Sequence, residues 1–187
     1  MAEKSFKFID LFAGIGGFHQ GLEKLGGECV LAVERDQNCQ AMYSVLYPKT
    51  NLLPDIRDLT LNPDGSDRTL EDIASRVPEH DVLCAGFPCQ PFSKSGHQEG
   101  INDRTRGTLF FDIMRIISAR KPQFVILENV QNLVGPRHTD TWDTIIKKLR
   151  TAGYTVSSDP LILSPHNFAP NKGAPQIRKR VFILAYR

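Results

Sequence analysis

The alternation of two hydrophobic periodicities constrains the fold of this chain more than any other feature. Short apolar runs typical of buried strands recur at 7–12, 28–36, 51–53, 81–87, 123–130, 154–163 and 180–187. Segments with apolar residues at helical spacing lie between most of them, at 18–26, 37–48, 69–77, 108–121 and 141–153. Strands that alternate with helices form a mostly parallel sheet with helices on both faces. The sequence therefore predicts a Rossmann-like α/β domain.

The size and composition of the chain fit one soluble domain over residues 1–187. Hydrophobic residues make up 41% and charged residues 24%, values that are ordinary for a globular protein. No apolar stretch approaches the roughly 18–20 residues that cross a bilayer. The N-terminus has no signal-peptide hydrophobic region. We therefore expect a cytoplasmic protein without a membrane partner.

One of the four cysteines has an unusual setting. Cys29, Cys39 and Cys84 lie in strand or helix patterns and are predicted to be buried fillers. No C-x-x-C pair or histidine at zinc-finger spacing accompanies them, so no metal site is expected. Cys89, in contrast, follows Pro88 in a polar, glycine-bounded loop at the end of an apolar run. Such strand ends are where α/β enzymes carry their chemistry.

The ends of the first three strands carry features of a cofactor site. A glycine turn at 14–17 follows the first strand, and glycines there allow close backbone approach to a ligand. Glu34 and Asp36 follow the second strand and Asp55 the third. The G-x-G-G spacing differs from the dinucleotide fingerprint, and each acid alone is equally typical of a solvated loop. Together they favour an adenosine-containing cofactor, and no phosphate-loop pattern indicates ATP hydrolysis.

A second group of polar residues is predicted at the neighbouring strand ends. Cys89 follows the fourth strand, and Glu128 and Asn129 end the fifth. If Gln176 opens the last strand, then Arg178 and Arg180 share its face, because side chains alternate along a strand. A thiol, a carboxyl group and two guanidinium groups would thus converge on one pocket.

Charge is distributed unevenly along the chain. From Lys147 onward there are eight Lys/Arg and one acid, Asp159, while the remainder has fifteen Lys/Arg and twenty Asp/Glu, so the parts carry about +7 and −5. A basic C-terminal part is compatible with a polyanionic partner, although a solvated basic surface explains the charge equally well.

Five ordered blocks resemble the motifs of the DNA cytosine-5 methyltransferases and extend over essentially the whole chain. They are FIDLFAGIGGF (8–18), GFPCQPFS (86–93), DRTRGTLFFDI (103–113), ILENV (126–130) and QIRKR (176–180). The resemblance implies a Rossmann-like S-adenosylmethionine-dependent methyltransferase fold with an antiparallel last strand. It also implies transfer of a methyl group from S-adenosylmethionine to C5 of a cytosine in double-stranded DNA. Because a stacked base cannot reach such a pocket, the cytosine would be flipped out of the duplex.

The resemblance also assigns catalytic roles. Cys89 would add to C6 of the base as a thiolate, which activates C5. Glu128 would hold the base through N3 and its amino group and share a proton. Arg178 and Arg180 would orient the base oxygen O2 and the catalytic carboxylate.

Further roles follow from the same resemblance. The cofactor would be bound by Phe12, Gly14, Ile15, Gly16, Gly17, Glu34, Arg35, Asp55, Ile56, Pro88 and Leu109. The substrate base and DNA would be contacted by Phe87, Gln90, Ser93, Ser95, Asn129 and Gln176, with Asn129 mainly organising the strand end. Asp10 would brace the glycine turn. Segment 92–107 would be a loop that closes over the DNA.

The chain ends directly after the QIRKR strand, where members of this family continue into a target recognition domain. We therefore expect either a fragment or one subunit of a split enzyme, with a second chain that carries the target recognition domain and remaining motifs. In either case the chain alone is expected to methylate DNA poorly. Two alternatives stay open: a tRNA cytosine-5 methyltransferase and a non-catalytic cofactor-binding module. A hydrolase is disfavoured because no histidine has an obvious pairing context with Cys89.

Overall fold

A computed structural model describes residues 5–88, 109–157, 159–168 and 173–187 of the chain. The strands are β1 (Lys7–Leu11), β2 (Glu28–Val33), β3 (Leu52–Leu53), β4 (Val82–Gly86), β5 (Phe124–Val130), β6 (Thr155–Val156), β7 (Leu161–Leu163) and β8 (Arg180–Tyr186). The helices are α1 (Gly17–Glu23), α2 (Gln37–Leu46), α3 (Arg57–Thr60), α4 (Leu70–Arg76), α5 (Leu109–Arg120) and α6 (Thr139–Thr151). The strands form one sheet in the order β3-β2-β1-β4-β5-β8-β6, and β7 also pairs with β8. The predicted α/β fold is confirmed.

Helices cover the two faces of the sheet unequally. The main core packs α4, α5 and α6 against alternate strand residues such as Ile9, Leu83 and Leu127, all fully buried. On the other face, α1 and α2 cover β1, β2 and β4. There the outer strands leave Phe124, Leu184 and Tyr186 exposed by 44%, 50% and 55%. The part of this second face that α1 and α2 cover lies next to the turn that follows β1.

The direction of β8 determines which residues meet at the functional edge of the sheet. Strands β1 to β5 are parallel, whereas β8 is antiparallel to β5, as predicted for the last strand. Its first residue, Arg180, therefore pairs with Val130 at the end of β5. The start of β8 thus shares one edge with the carboxyl ends of the parallel strands, where ligands bind in open α/β sheets.

Two sequence-based element predictions are wrong in detail. The predicted strand at 154–163 is two short strands, β6 and β7, on the same edge of β8. Pro160 between them has no N–H to donate, and the Ser157 hydroxyl instead accepts the Asp159 N–H at 3.2 Å. The last strand begins at Arg180, as the apolar run at 180–187 predicts, because β5 and β7 both end their pairing with β8 there. Gln176 therefore does not open this strand, and the shared strand face predicted for Gln176, Arg178 and Arg180 is wrong. The single-turn helix α3 was not predicted.

Across the described ranges, no helix combines the length and apolar character that a membrane span requires.

Candidate active site

Three residues in the turn after β1 have a left-handed backbone conformation, with positive φ. Gly14 has φ 57° and Gly16 φ 92°, and Phe12, which is not a glycine, has φ 60°. A left-handed backbone costs a side chain-bearing residue about 1–2 kcal/mol, so it persists where surrounding contacts enforce it. Here the Ala13 N–H donates to the Val33 carbonyl at 2.9 Å and the Gly16 N–H to the Ala13 carbonyl at 2.8 Å. The turn is therefore fixed to β2 before α1 begins.

Glu34 anchors this turn from the end of β2. One of its carboxylate oxygens accepts the Gly14 N–H at 2.7 Å, and the other accepts the Asp36 N–H at 2.7 Å. Because a carboxylate oxygen has two acceptor sites, each oxygen can still accept a further hydrogen bond. Glu34 can thus hold the turn and bind a hydroxyl group at the same time.

The two acids beyond Glu34 have different surroundings. Asp36 caps α2 by accepting the N–H groups of Asn38 and Cys39, both at 2.9 Å, and these bonds lower its pKa. It therefore has a structural role, whereas Asp55 lies 4.0 Å from the guanidinium of Arg35, which is 82% exposed. Ile56, next to Asp55, is almost fully buried and forms part of the core.

An open concavity of about 590 Å³ lies at this end of the sheet, and Glu34, Arg35, Asp36, Gln37 and Asn38 line it. Its volume is within the range of small-molecule sites, roughly 300–1,000 Å³. Another concavity, of about 340 Å³, is lined by α6 alone and receives no residue from the strand ends. Of the residues predicted to bind the cofactor, Glu34 and Arg35 line the larger one.

Glu128 forms the second polar centre of the edge. It lies beside Gly86 in the β4–β5 register, and its Oε2 is 3.4 Å from the place a Cβ would take there. The Arg180 Nε lies 2.7 Å from Glu128 Oε1, with both side chains 23% exposed. Burial raises the pKa of Glu128, while the charges of Arg180 and Arg178 act against this. The result is a carboxyl group that is held in place and keeps its proton to a higher pH than an exposed glutamate.

The Asn129 side chain binds the backbone at two places, one after β4 and one at the end of β5. Its amide donates to the Phe87 carbonyl at 2.9 Å, and its Oδ1 accepts the Val130 N–H at 2.8 Å. The side chain is buried, so these contacts tie the segment after β4 to the end of β5. Phe87 itself is 5% exposed and packs against Phe110, with 5.9 Å between ring centroids. The Phe87 ring therefore belongs to the core, so the predicted contact of Phe87 with the substrate would have to come from its backbone.

The QIRKR segment is brought to the edge only in part. Arg180 reaches Glu128, whereas Gln176 and Arg178 precede β8 and are exposed. Arg178 is held through its backbone, because its N–H donates to the buried Ser164 hydroxyl at 3.0 Å. Of the remaining predicted residues, Ile15 is 59% exposed, Pro88 is exposed and Leu109 begins α5 half-buried. Cys89, Gln90, Ser93, Ser95 and segment 92–107 lie outside the described residues.

A buried polar cluster behind the glycine turn was largely missed by the sequence analysis. Asp10 is fully buried; one of its oxygens accepts the His19 N–H at 3.2 Å, and the other has no partner among the residues described. His19 in turn contacts Tyr43 and Tyr47. The alternation of residues in β1 would place Asp10 on the helix-covered face, but no sequence signal linked the two tyrosines to it.

The ionisation of Asp10 should make the stability of the chain depend on pH. Burial raises the pKa of Asp10 from 3.8 to about 7, while the His19 N–H acts against it. The folded state therefore binds a proton that the unfolded state releases, so stability falls as pH rises between about 4 and 7. We expect Asp10→Asn to flatten this part of the curve of melting temperature against pH, by about 2–4 °C for each kcal/mol of linkage in a chain of 187 residues. Asp58→Asn, at an exposed site, should keep the wild-type profile; parallel Asp10→Asn and wild-type profiles would contradict the prediction.

The other three cysteines are structural. Cys84 is buried, and Cys29 and Cys39 are half-buried rather than fully buried as predicted. Burial raises the pKa of Cys29 to about 12 and also raises the pKa values of Cys84 and Cys39. No group of three or more His, Cys, Asp or Glu residues in the described part of the chain could hold a metal ion.

Comparison with known proteins gives a consistent family assignment. The family model for C-5 cytosine-specific DNA methylases matches residues 6–187. The chain is 50% identical over 185 residues to the type II methyltransferase M.AluI of Cellulosimicrobium cellulans, covering 98% of this chain and 34% of that protein. It is 39% identical to a DNA-cytosine methyltransferase of Escherichia coli K12, covering 98% of this chain and 42% of the relative.

A solved structure agrees with this. DNMT2 of Spodoptera frugiperda superimposes with a TM-score of 0.68 at 25% identity, over 97% of this chain and 50% of that one. The chain spans about a third to a half of the length of the curated relatives it matches.

Proposed function

The chain belongs to the C-5 cytosine-specific DNA methylase family, and from this premise we propose that its sheet edge transfers a methyl group from S-adenosylmethionine to C5 of cytosine in double-stranded DNA. The observation that carries the proposal is the Glu128–Arg180 pair, which lies across Gly86 at the same edge as the glycine turn and Glu34. A candidate proton donor, Glu128, and a candidate adenosine site at Glu34 therefore lie at the same edge of the sheet.

The residues around the 590 Å³ concavity fit the cofactor. When bound, S-adenosylmethionine supplies a methyl group on a positively charged sulfur. We propose that Glu34 accepts the ribose hydroxyls through its remaining acceptor sites and that Asp55 and Ile56 read the adenine. Arg35 can lie over the adenine, because its exposed guanidinium is planar and already close to Asp55. The backbone at Phe12, Gly14, Ile15, Gly16 and Gly17, with Pro88 and Leu109, would enclose the rest.

Glu128 is proposed to bind the flipped cytosine and to donate a proton to N3 of that base. The raised pKa suits this role, since the carboxyl group must be protonated to donate. Arg180 fixes the carboxyl group through one oxygen and leaves the other oriented towards Gly86. Arg178 would contribute positive charge nearby, and Gln176 would contact the DNA.

Cys89 is proposed as the nucleophile that starts the reaction. It comes two residues after Phe87 in the sequence. The Asn129 amide binds the Phe87 carbonyl, so the chain has a fixed position just before Cys89. The thiolate would form a bond to C6, and the C5–C6 electron pair would become available at C5 while the proton at N3 balances the charge. After C5 has gained the methyl group, loss of the C5 proton and cleavage of the S–C6 bond restore the aromatic ring and release Cys89. Gln90, Ser93 and Ser95 would contact the DNA strand.

The relatives are two to three times as long as this chain. We propose that target choice and full turnover depend on a segment like the one that makes up the rest of these relatives, carried either on the same chain or on a second one. Duplex binding by these 187 residues alone is accordingly expected to be weak.

The test is covalent trapping on duplex DNA that contains 5-fluorocytosine, with S-adenosylmethionine present. Fluorine at C5 blocks the final elimination, so the protein should remain attached through Cys89. When the C-terminal part of a relative is added to supply duplex binding, we expect an adduct with the wild type and with Cys39→Ser, and none with Cys89→Ser. An adduct that survives Cys89→Ser would contradict the proposed nucleophile.

The alternatives have their own outcomes in the same assay. An adduct formed only on an RNA stem-loop carrying 5-fluorocytosine would favour the tRNA methyltransferase. Binding of S-adenosylmethionine without an adduct on either substrate, even after addition of the C-terminal part of a relative, would favour a non-catalytic module.

A further inference from the structure

The glycine turn of the proposed cofactor site is contacted from behind by a buried aromatic cluster, which consists of His19, Tyr43 and Tyr47. We propose that Tyr47 and His19 are positioning residues that hold the backbone of this turn in its binding conformation. The inference rests on the proposed function only in taking the turn as the cofactor turn; the contacts themselves belong to the free chain.

Tyr47 contacts the turn in two ways. Its hydroxyl donates to the Gly16 carbonyl at 3.3 Å. Its ring also lies against the Gly16 α-carbon, where a Cβ would overlap the ring edge. Gly16 is thus the residue at which a missing side chain lets an aromatic ring reach the main chain. Since Gly16 has φ 92°, the ring packs against a point of the turn where the backbone conformation favours glycine.

His19 fixes the Tyr47 ring. The two rings are stacked, with 3.6 Å between centroids and 15° between planes. The His19 Nδ1 lies 2.6 Å from the Tyr43 hydroxyl, and its backbone N–H donates to Asp10 of β1. Burial lowers the pKa of His19, which favours the neutral ring. His19 therefore connects Tyr47 to both β1 and the middle of α2.

The turn is consequently held from two sides by the two ends of one helix. Glu34, which precedes α2, binds the Gly14 N–H, and Tyr47, which follows α2, binds the Gly16 carbonyl. The helix between them is capped by Asp36 at its start. A shift of α2 would therefore move both anchors together, which makes α2 the support of the turn.

A purely structural role for Tyr47 would predict general destabilisation, whereas a positioning role predicts a local effect. Tyr47→Phe keeps the ring and removes the hydroxyl. Tyr154→Phe is the matched control, because the buried Tyr154 hydroxyl also donates to a backbone carbonyl, that of Pro122, at 2.6 Å in another part of the sheet. Both variants lose a hydroxyl that donates to a backbone carbonyl, but only Tyr47→Phe loses it at the turn.

The experiment is amide hydrogen exchange by NMR on the free chain. We expect Tyr47→Phe to speed exchange of the Gly16 and Gln20 amides about 2- to 10-fold relative to the Leu83 and Val125 amides. Tyr154→Phe should leave that ratio unchanged. A His19→Leu variant, which removes the stacked ring, should also raise the ratio. Equal ratios in the wild type and Tyr47→Phe would overturn the inference.

Titration of the same proteins with S-adenosylmethionine separates this inference from the proposed function. If the turn positions the cofactor, the Kd should rise about 2- to 10-fold in Tyr47→Phe and remain unchanged in Tyr154→Phe. If the turn loosens in Tyr47→Phe but the wild-type chain binds no S-adenosylmethionine, the positioning contacts are supported and the cofactor assignment is contradicted. A changed exchange ratio with an unchanged Kd would overturn the claim that these residues serve binding.

Discussion

Replacement of Glu128 by glutamine is expected to slow adduct formation with 5-fluorocytosine DNA by about 10²- to 10⁴-fold, the usual contribution of a positioned acid or base. Glutamine keeps the size of the side chain and can still accept a hydrogen bond from Arg180. It cannot move a proton to N3 of the base. The loss should therefore appear in the rate of the reaction rather than in DNA binding.

The pH profile provides an independent check of this role. Burial raises the pKa of Glu128, and the protonated form is the one that donates, so the wild-type rate should fall as pH rises through that raised pKa. The Glu128→Gln variant should lack this limb. Glu79→Gln serves as the control, because the Glu79 side chain is 91% exposed and lies outside the site. A Glu128→Gln variant that reacts within about twofold of the wild type would rule out the proposed acid.

Replacement of Gly16 by alanine is expected to reduce the free energy of unfolding by about 2–5 kcal/mol. Two costs add: about 1–2 kcal/mol for a side chain at a left-handed backbone, and about 1–3 kcal/mol for overpacking against the Tyr47 ring. The clash is relieved only when the turn and the Tyr47 ring move apart. Binding of S-adenosylmethionine should therefore be lost as well.

Urea unfolding of Gly16→Ala and Gly21→Ala measures the effect. Gly21 lies in α1, and a Cβ there would meet no atom within 4 Å. Because alanine favours a helix more than glycine does, Gly21→Ala should gain up to about 1 kcal/mol. If Gly16→Ala were as stable as the wild type, the close contact with Tyr47 would be excluded.

Much of the fold could be predicted because the strands are buried on both sides and the helices on one. That difference gives β1, β2, β4 and β5 continuous apolar runs and gives α5 a helical stripe. Residues at strand ends were also predictable, since the carboxyl ends of parallel strands must meet at one edge. The positions of Glu34 and Glu128 follow from this rule alone.

What could not be predicted depends on contacts between residues distant in sequence. Asp36 and Asp55 look alike as loop acids, but Asp36 accepts two N–H groups at the start of α2, whereas Asp55 accepts one, that of Arg57 at 3.0 Å, and lies near Arg35. Phe87 lies in a motif, yet its ring packs on Phe110 of a later helix. The shared strand face of Gln176, Arg178 and Arg180 was wrong because pairing partners, rather than residue alternation, decide where a strand begins.

The reversed direction of β8 has a consequence for how this architecture can vary. Seven residue pairs lock β8 against β5, so the register between the two strands does not depend on the connection that leads into β8. The described parts of that connection, residues 164–168 and 173–179, precede Arg180 and lead into the proposed catalytic edge. Insertions or replacements there could reshape the approach of a nucleic acid while Arg180 stays paired with Glu128. The sheet thus fixes the Glu128–Arg180 pair independently of the segment that would determine how a nucleic acid approaches it.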